Sequence, residues 1–215
     1  MKKTKVTPWY HNSTHCLNVY NWCSKIVEYD GKELDPVLGW AALYHDYDHS
    51  GGEFTDDINI QRAVAGARQS FRSYTSDVYN KKRAAAPDSH LWLDYDQLDT
   101  FKHSQDQLVR LIECTMFVDG GFPITPTTYE EMVIRDADLM TIFLPTTEAV
   151  TALEGLHMEM LIKSPVLTRE DFWRKTVEFL SAAKFYTVFG QLQQKSLDSY
   201  LARVAPVFLK LKEVK

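Results

Sequence analysis

The chain has 215 residues, 45% hydrophobic and 25% charged, with a formal net charge of -5. That length and balance suit one soluble globular domain over 1–215, with a sizeable core. A mildly acidic chain is a poor candidate for tracking a nucleic-acid backbone, although net charge leaves a local basic groove open.

The apolar spacing is helical almost throughout and no stretch alternates with period two, so the expected fold class is all-α. The opening Met1-Lys2-Lys3 has the charge of a signal-peptide n-region, but no apolar h-region follows it. Residues 14 to 28 read as one helix, with Leu17, Val19, Tyr20, Cys23, Ile26 and Val27 on a broad stripe. Asp35-Pro36 reads as an N-cap with a first-turn proline. The helix it opens is expected to run through Leu38, Ala41, Ala42 and Tyr44 until Ser50-Gly51-Gly52 ends it. Asp56 or Asp57 caps a further helix through Ile60, Ala63, Val64 and Phe71. Residues 76 to 100 are polar, with Lys81-Lys82-Arg83 and Ala84-Ala85-Ala86-Pro87 among them. They read as a surface excursion. Helices are expected again over 104–117, broken by Gly120-Gly121-Phe122-Pro123, and over 128–143, 147–163, 168–184 and 188–212. No apolar run approaches the ~20 residues that span a bilayer. The three cysteines, Cys16, Cys23 and Cys114, lack paired spacing. They read as buried thiols in a reducing cytoplasm, not as a disulfide framework.

Three segments carry candidate chemistry. His11 and His15 stand four apart and share one helix face if the first turn has formed by His11. That spacing suits a metal or acid/base pair, against a capping and a core histidine. Tyr44-His45-Asp46-Tyr47-Asp48-His49-Ser50-Gly51 sets an imidazole beside a carboxylate directly after the apolar run Leu38–Leu43. A carboxylate there can bridge two cations. Asp136 and Asp138 interrupt an apolar helix, where an unpaired carboxylate is costly. They lie roughly 200° apart around it, so one is expected to face the site and the other to sit on the surface beside Arg135. His90, His103 and His157 lack partner spacing and read as surface or packing residues. Asp119 reads as a helix-end carboxylate.

One His, then His-Asp, then a distant Asp is the order that names the HD superfamily of metal-dependent phosphohydrolases. Tyr10-His11-Asn12-x-x-His15-x-x-x-Val19 resembles the Y-H-N-x-x-H-A-x-D-V signature of class I cyclic nucleotide phosphodiesterases. His45-Asp46-x-Asp48-His49-x-Gly51 resembles their H-D-x-D-H-P-G, and Ala137-Asp138-Leu139 their A-D-L. Cys16, Asn18 and Ser50 depart from the pattern at positions beside the ligands. The resemblance implies an HD-domain, phosphodiesterase-like helical bundle. It implies that His15, His45, Asp46 and Asp138 ligate a first metal, zinc or another transition ion. Asp46 would bridge to a second, magnesium or manganese, otherwise held by water. A hydroxide between the metals would attack phosphorus, His11 would protonate the leaving oxygen, and His49 would stand beside the hydroxide. Gln194, with Leu197 three residues on, loosely resembles the family's purine clamp, as an alternative to a solvated helix face.

The implied activity is hydrolysis of a 3′,5′-cyclic nucleotide, or a related cyclic signal, to the linear nucleotide. A nucleoside 5′-monophosphate phosphohydrolase (a nucleotidase) is the alternative within enzymes, and a non-catalytic nucleotide-binding module the alternative outside them. The expected partner is a small-molecule nucleotide, with neither membrane nor nucleic acid. The sequence carries no reading of oligomeric state.

Overall fold

The computed structural model describes residues 8–85 and 95–211. Among them the chain is predominantly helical, with no strand and one isolated bridge, Val118 to Gly121. No described helix is long and apolar enough to cross a membrane.

Helix α1 spans Ser13–Tyr29 and begins where Asn12 accepts hydrogen bonds from the Thr14 and His15 N–H groups. It ends where Gly31 (φ +68°) lets its own N–H and that of Lys32 reach back to Glu28 and Val27, satisfying carbonyls the helix leaves open. His11 lies outside this helix, one residue before the cap, so it does not share a helix face with His15. Helix α2, Pro36–Tyr44, is capped by Asp35, which accepts from Val37 and Leu38 at 2.7 and 3.1 Å.

The structure differs here from the expectation of a helix continuing toward Ser50. The chain leaves α2 at Tyr44 and carries the His45–Gly52 motif on turns, with Asp48 at φ +61° held by Arg62 at 2.7 and 3.0 Å. A second difference concerns residues 76 to 100. Helix α3 runs over Asp56–Ala85 and α4 over Tyr95–Glu113, so most of that polar stretch is helical. A polar composition fits a helix with one packed face as well as it fits a loop. The centre of the expected surface excursion, residues 86–94, including His90, lies outside the described residues.

Helix α5, Tyr129–Asp138, starts at a capping box between Thr128 and Glu131, and gives way to a 3-10 helix over Leu139–Phe143. Helices α6 (Thr146–Lys163), α7 (Arg169–Ala182), α8 (Val188–Lys195) and α9 (Leu197–Phe208) follow. The single helix expected over 188–212 is broken at Ser196, whose N–H turns to the Gln193 carbonyl.

Helix α1 packs on α2 and α5, α4 on α2 and α3, and α6 on α9. Val19, Ile26, Leu38, Leu108, Ile112, Ile134, Met140 and Phe172 lie in the one buried cluster between them. All three cysteines are buried and free. The start of α1 and the ends of α2 and α5 converge on one edge of this core.

Candidate metal centre

That convergence brings together the four residues predicted as metal ligands. His15 comes from the first turn of α1, His45 caps α2, Asp46 follows it, and Asp138 closes α5. The Nε2 atoms of His15 and His45 lie 3.2 Å apart. Asp46 Oδ2 is 3.3 and 3.2 Å from them, and Asp138 Oδ1 is 3.1 and 3.4 Å from them. Ligands at about 2.0–2.2 Å from one ion stand roughly 2.9–3.5 Å from their neighbours in tetrahedral or octahedral geometry. These five His–His and His–Asp distances fall in that range, with Asp138 approaching the two histidines from outside the tightest set of three.

Two further observations fit a cation at this point. His45 Nδ1 is 2.9 Å from the Ala42 carbonyl, which accepts its proton and turns Nε2 toward the cluster. Asp46 Oδ2 is buried and has no hydrogen-bond partner, a costly state for a carboxylate oxygen unless a cation completes it. His15, His45 and Asp46 are a set whose ligand atoms all lie within 4.8 Å of one another.

The electrostatics agree. Burial would raise both aspartates, but the surrounding histidines hold Asp46 well below the usual carboxylate range and Asp138 below it as well. Both are therefore ionised at neutral pH. Burial would lower His45, yet the Asp46 and Asp138 carboxylates hold it well above its ordinary value. A metal ion must displace that proton to bind.

Beside the centre lies a second group that the sequence reading only half resolved. His11 Nδ1 is 2.5 Å from Glu159 Oε2, and Glu159 Oε1 accepts the backbone N–H groups of Tyr10 and His11 at 2.6 and 3.2 Å. Burial would lower His11, but Asp46 and Glu159 raise it above its ordinary value. His49 stacks on His11, with ring centroids 3.8 Å apart. Burial and the neighbouring His11 charge push His49 down to about 4, so it stays neutral. Its Nδ1 accepts from the Gly51 N–H at 3.1 Å, and its Nε2 faces the Asn59 amide at 2.9 Å. His11, His49 and Glu159 also offer ligand-type atoms within 4.8 Å of one another. His11 Nδ1 and both nitrogens of His49 are engaged in these hydrogen bonds.

Glu159 was missed in the sequence. Its α6 neighbours are Met158 and Met160, and an acid in that apolar company was the available signal. What brings it within reach is Gly155, one turn earlier, where α6 touches the Trp9–Tyr10 backbone: a Cβ there would meet Trp9 O at 2.6 Å.

Three expectations change. Asp136 is not a surface carboxylate paired with Arg135. It is fully buried and accepts from the Tyr186 and Thr187 N–H groups and the Thr187 hydroxyl at 2.8–3.0 Å, tying down the start of α8. Arg135 is buried too, bonded to the carbonyls of Cys114 and Ile124 and lying over the Phe122 ring. Gln194 does not line the cavity at the centre. Its Nε2 donates to the Ala183 carbonyl at 2.8 Å, which ties the side chain to the end of α7. His157 packs in the core against Phe172 with Nε2 on the Leu167 carbonyl, His103 is exposed, and Asp119 is exposed in a turn at φ +53°.

A cavity of about 950 Å³ opens from Asp46, Asp138, His11 and His49. Phe117, Phe122 and Phe179 form one wall as a cluster of rings 5.0–6.2 Å apart. Asp56 braces it, accepting the Phe117 N–H at 2.6 Å while its other oxygen lies 4.0 Å from His49.

The fold and the site define an all-helical protein with a buried histidine–aspartate set able to hold a metal ion. No family model, curated protein or solved structure matches the chain.

Proposed function

We propose that the protein is a metal-dependent phosphohydrolase that opens a cyclic nucleotide phosphodiester to the linear phosphate. The observation that carries this reading is the adjacency of the His15, His45, Asp46 and Asp138 set to a histidine whose Nδ1 is held by a buried glutamate. His15, His45, Asp46 and Asp138 would hold the first ion, zinc or another transition metal, and Asp46 would be shared with a second, magnesium or manganese. A divalent ion bound there supplies Lewis acidity and positive charge next to the phosphate.

The chain's own residues account for the rest. Glu159 fixes the His11 tautomer and ring plane, so the proton His11 delivers is the one on Nε2. His11 gives it to the ester oxygen that leaves phosphorus. In the net reaction one oxygen of water bonds to phosphorus and the P–O bond to the ribose oxygen breaks. That oxygen takes the proton from His11, and the proton lost by water restores it. Neutral His49, stacked on His11, adds no competing charge. The ring wall of Phe117, Phe122 and Phe179 offers an apolar face to a nucleobase. A dedicated acid favours a diester, whose alkoxide leaving group needs a proton, over the nucleotidase alternative.

The test is a substrate panel. Metal-loaded protein is offered cyclic mononucleotides, cyclic dinucleotides and nucleoside 5′-monophosphates, with Asp46→Ala alongside. Cleavage of a cyclic substrate that Asp46→Ala abolishes is expected. Phosphate release from monophosphates alone would replace the diesterase with a nucleotidase. No turnover of any substrate would leave the binding-module reading in its place.

A further inference from the structure

One wall of the cavity is a single loop. Thr115, Phe117, Gly120, Gly121, Phe122 and Ile124 all line the cavity, and they lie between the end of α4 and the start of α5. One side chain holds both ends of this loop. The buried Arg135 guanidinium donates to the Cys114 carbonyl and, at 3.0 Å, to the Ile124 carbonyl, and its central carbon lies 3.8 Å from the Phe122 ring centre. A planar guanidinium with its fork of N–H donors can serve two carbonyls and a ring face at once. Ends held this close make a compact Ω-type loop. Its tip is internally braced. Val118 and Gly121 exchange both backbone hydrogen bonds, at 2.9 and 3.0 Å, across Asp119 and Gly120 at φ +53° and +80°, the geometry of a two-residue hairpin turn.

Between these pinned ends the loop has one polar tether. Among the described residues, the segment 117–123 makes a single hydrogen bond to the rest of the protein, from the Phe117 N–H to Asp56 Oδ2 at 2.6 Å. The Phe117 and Phe122 rings add apolar contact with Phe179 of α7, at centroid distances of 5.2 and 6.2 Å. Asp56 stands in the first turn of α3. Its other oxygen is 4.0 Å from His49 Nε2. Asn59, three residues on, meets His49 Nε2 at 2.9 Å and accepts the Ser50 N–H at 3.1 Å. The start of α3 therefore fixes the His49–Ser50 turn and the aromatic wall in one frame. A loop whose ends are pinned and whose middle hangs on one bond can open there without disturbing its own tip.

We propose that Asp56 is a positioning residue for substrate selection: it holds the 114–124 loop in place as a wall beside His49, and that wall selects substrates by the base attached to the ribose phosphate. The ligand class is a cyclic phosphate carrying a planar base, taken in preference to a cyclic sugar phosphate without one. This rests on the phosphohydrolase reading above and names the residue that sets its selectivity. Asp56 acts through the Phe117 backbone and not on the reacting atoms. It keeps the Phe117 and Phe122 rings where a base can pack on them. Binding energy gained on that remote group orients the phosphate at the centre.

The test uses the full chain loaded with manganese, as wild type, Asp56→Ala, Asp56→Ser and Asp56→Asn. Limited chymotrypsin digestion without substrate, mapped by mass spectrometry, reads the loop through cleavage after Phe117 and Phe122. Asp56→Ala is expected to be nicked there about tenfold faster, the effect of losing one hydrogen bond to a charged acceptor. Asp56→Asn, which keeps an oxygen, is expected to fall between. Kinetics compare 3′,5′-cyclic AMP with methyl ribofuranoside 3′,5′-cyclic phosphate, which lacks the base. Wild-type protein is expected to prefer cyclic AMP by about tenfold or more in kcat/KM, and Asp56→Ala to lose most of that preference. A general loss of structure would lower both substrates together and leave their ratio unchanged. Asp56→Ser, which also removes the carboxylate, carries the same expectations should the alanine variant not fold. Nicking unchanged in the alanine and serine variants, or a preference that is absent in wild type or untouched by these variants, would overturn the proposal. If wild-type protein turns over neither substrate, the phosphohydrolase reading is at fault. Calorimetric titration then reads the same ratio as relative affinity, and its dependence on Asp56 decides the proposal by itself.

Discussion

Gly155→Ala separates two physical effects with opposite signs. Judged by helix propensity alone, a glycine replaced by alanine inside α6 should stabilise the protein by roughly 1 kcal/mol. The contact argues otherwise. The new methyl would sit 2.6 Å from Trp9 O, 2.9 Å from Trp9 C and 3.1 Å from Tyr10 N. These are backbone atoms with no rotamer to change. Ordinary contact begins near 3.4 Å, so the segment must retreat by about 0.8 Å. The same retreat would stretch the Tyr10 N–H bond to Glu159 from 2.6 Å to the edge of hydrogen-bond range and break the weaker His11 bond at 3.2 Å. Overpacking of this kind costs about 1–3 kcal/mol, so the net expectation is a loss of up to about 2 kcal/mol. For a chain of this size that is a fall in Tm of several degrees, at about 2–4 °C per kcal/mol. Misplacing His11 by a large fraction of an ångström is expected to lower kcat by 10- to 100-fold, with a smaller change in KM. Urea unfolding and hydrolysis of a model diester measure the two effects separately. A variant that is more stable than wild type with unchanged kcat would refute the claim that α6 positions His11 through this close approach.

Zinc or manganese at a hundredfold its Kd is expected to stabilise wild-type protein by about 2.7 kcal/mol, read as a rise in Tm that Asp46→Ala loses; an equal rise in the variant would place the ion elsewhere. Asp136→Ala leaves the Tyr186 and Thr187 N–H groups and the Thr187 hydroxyl without their acceptor, and a loss of about 3 kcal/mol or more is expected in urea unfolding. Glu131 is nearly fully buried, and burial would raise it. The Thr127 and Thr128 N–H groups and Arg110 instead hold its carboxyl below the ordinary 4.5. Its contribution to stability is therefore complete above pH 4.5 and is lost as pH falls through the lower folded-state value. Glu131→Gln is expected to flatten the acid limb of the stability–pH curve, and an unchanged limb would show that other carboxylates dominate it.

Much of the secondary structure is legible because its causes are local. The caps at Asn12, Asp35 and Thr128 act on N–H groups two or three residues away, and the apolar stripe of α1 repeats within one turn. The candidate ligands are legible for a similar reason, since His15, His45, Asp46 and Asp138 stand in short segments whose residue types already suit a cation. Helix extent is less legible. The polar ends of α3 and the start of α4 carry no sign that separates a solvated helix from a loop.

Local sequence is enough to specify a predominantly helical chain with an acidic balance and a short set of histidines and aspartates fit for metal binding. Which of them meet, and with what, follows from long-range packing. Glu159 reaches Tyr10 across 149 residues, Asp136 is drawn inward by N–H groups 50 and 51 residues away, and Gln194 is turned onto the Ala183 carbonyl. Each depends on how closely two helices or segments approach. That distance is set by packing around small residues such as Gly155, and no local run of sequence encodes it.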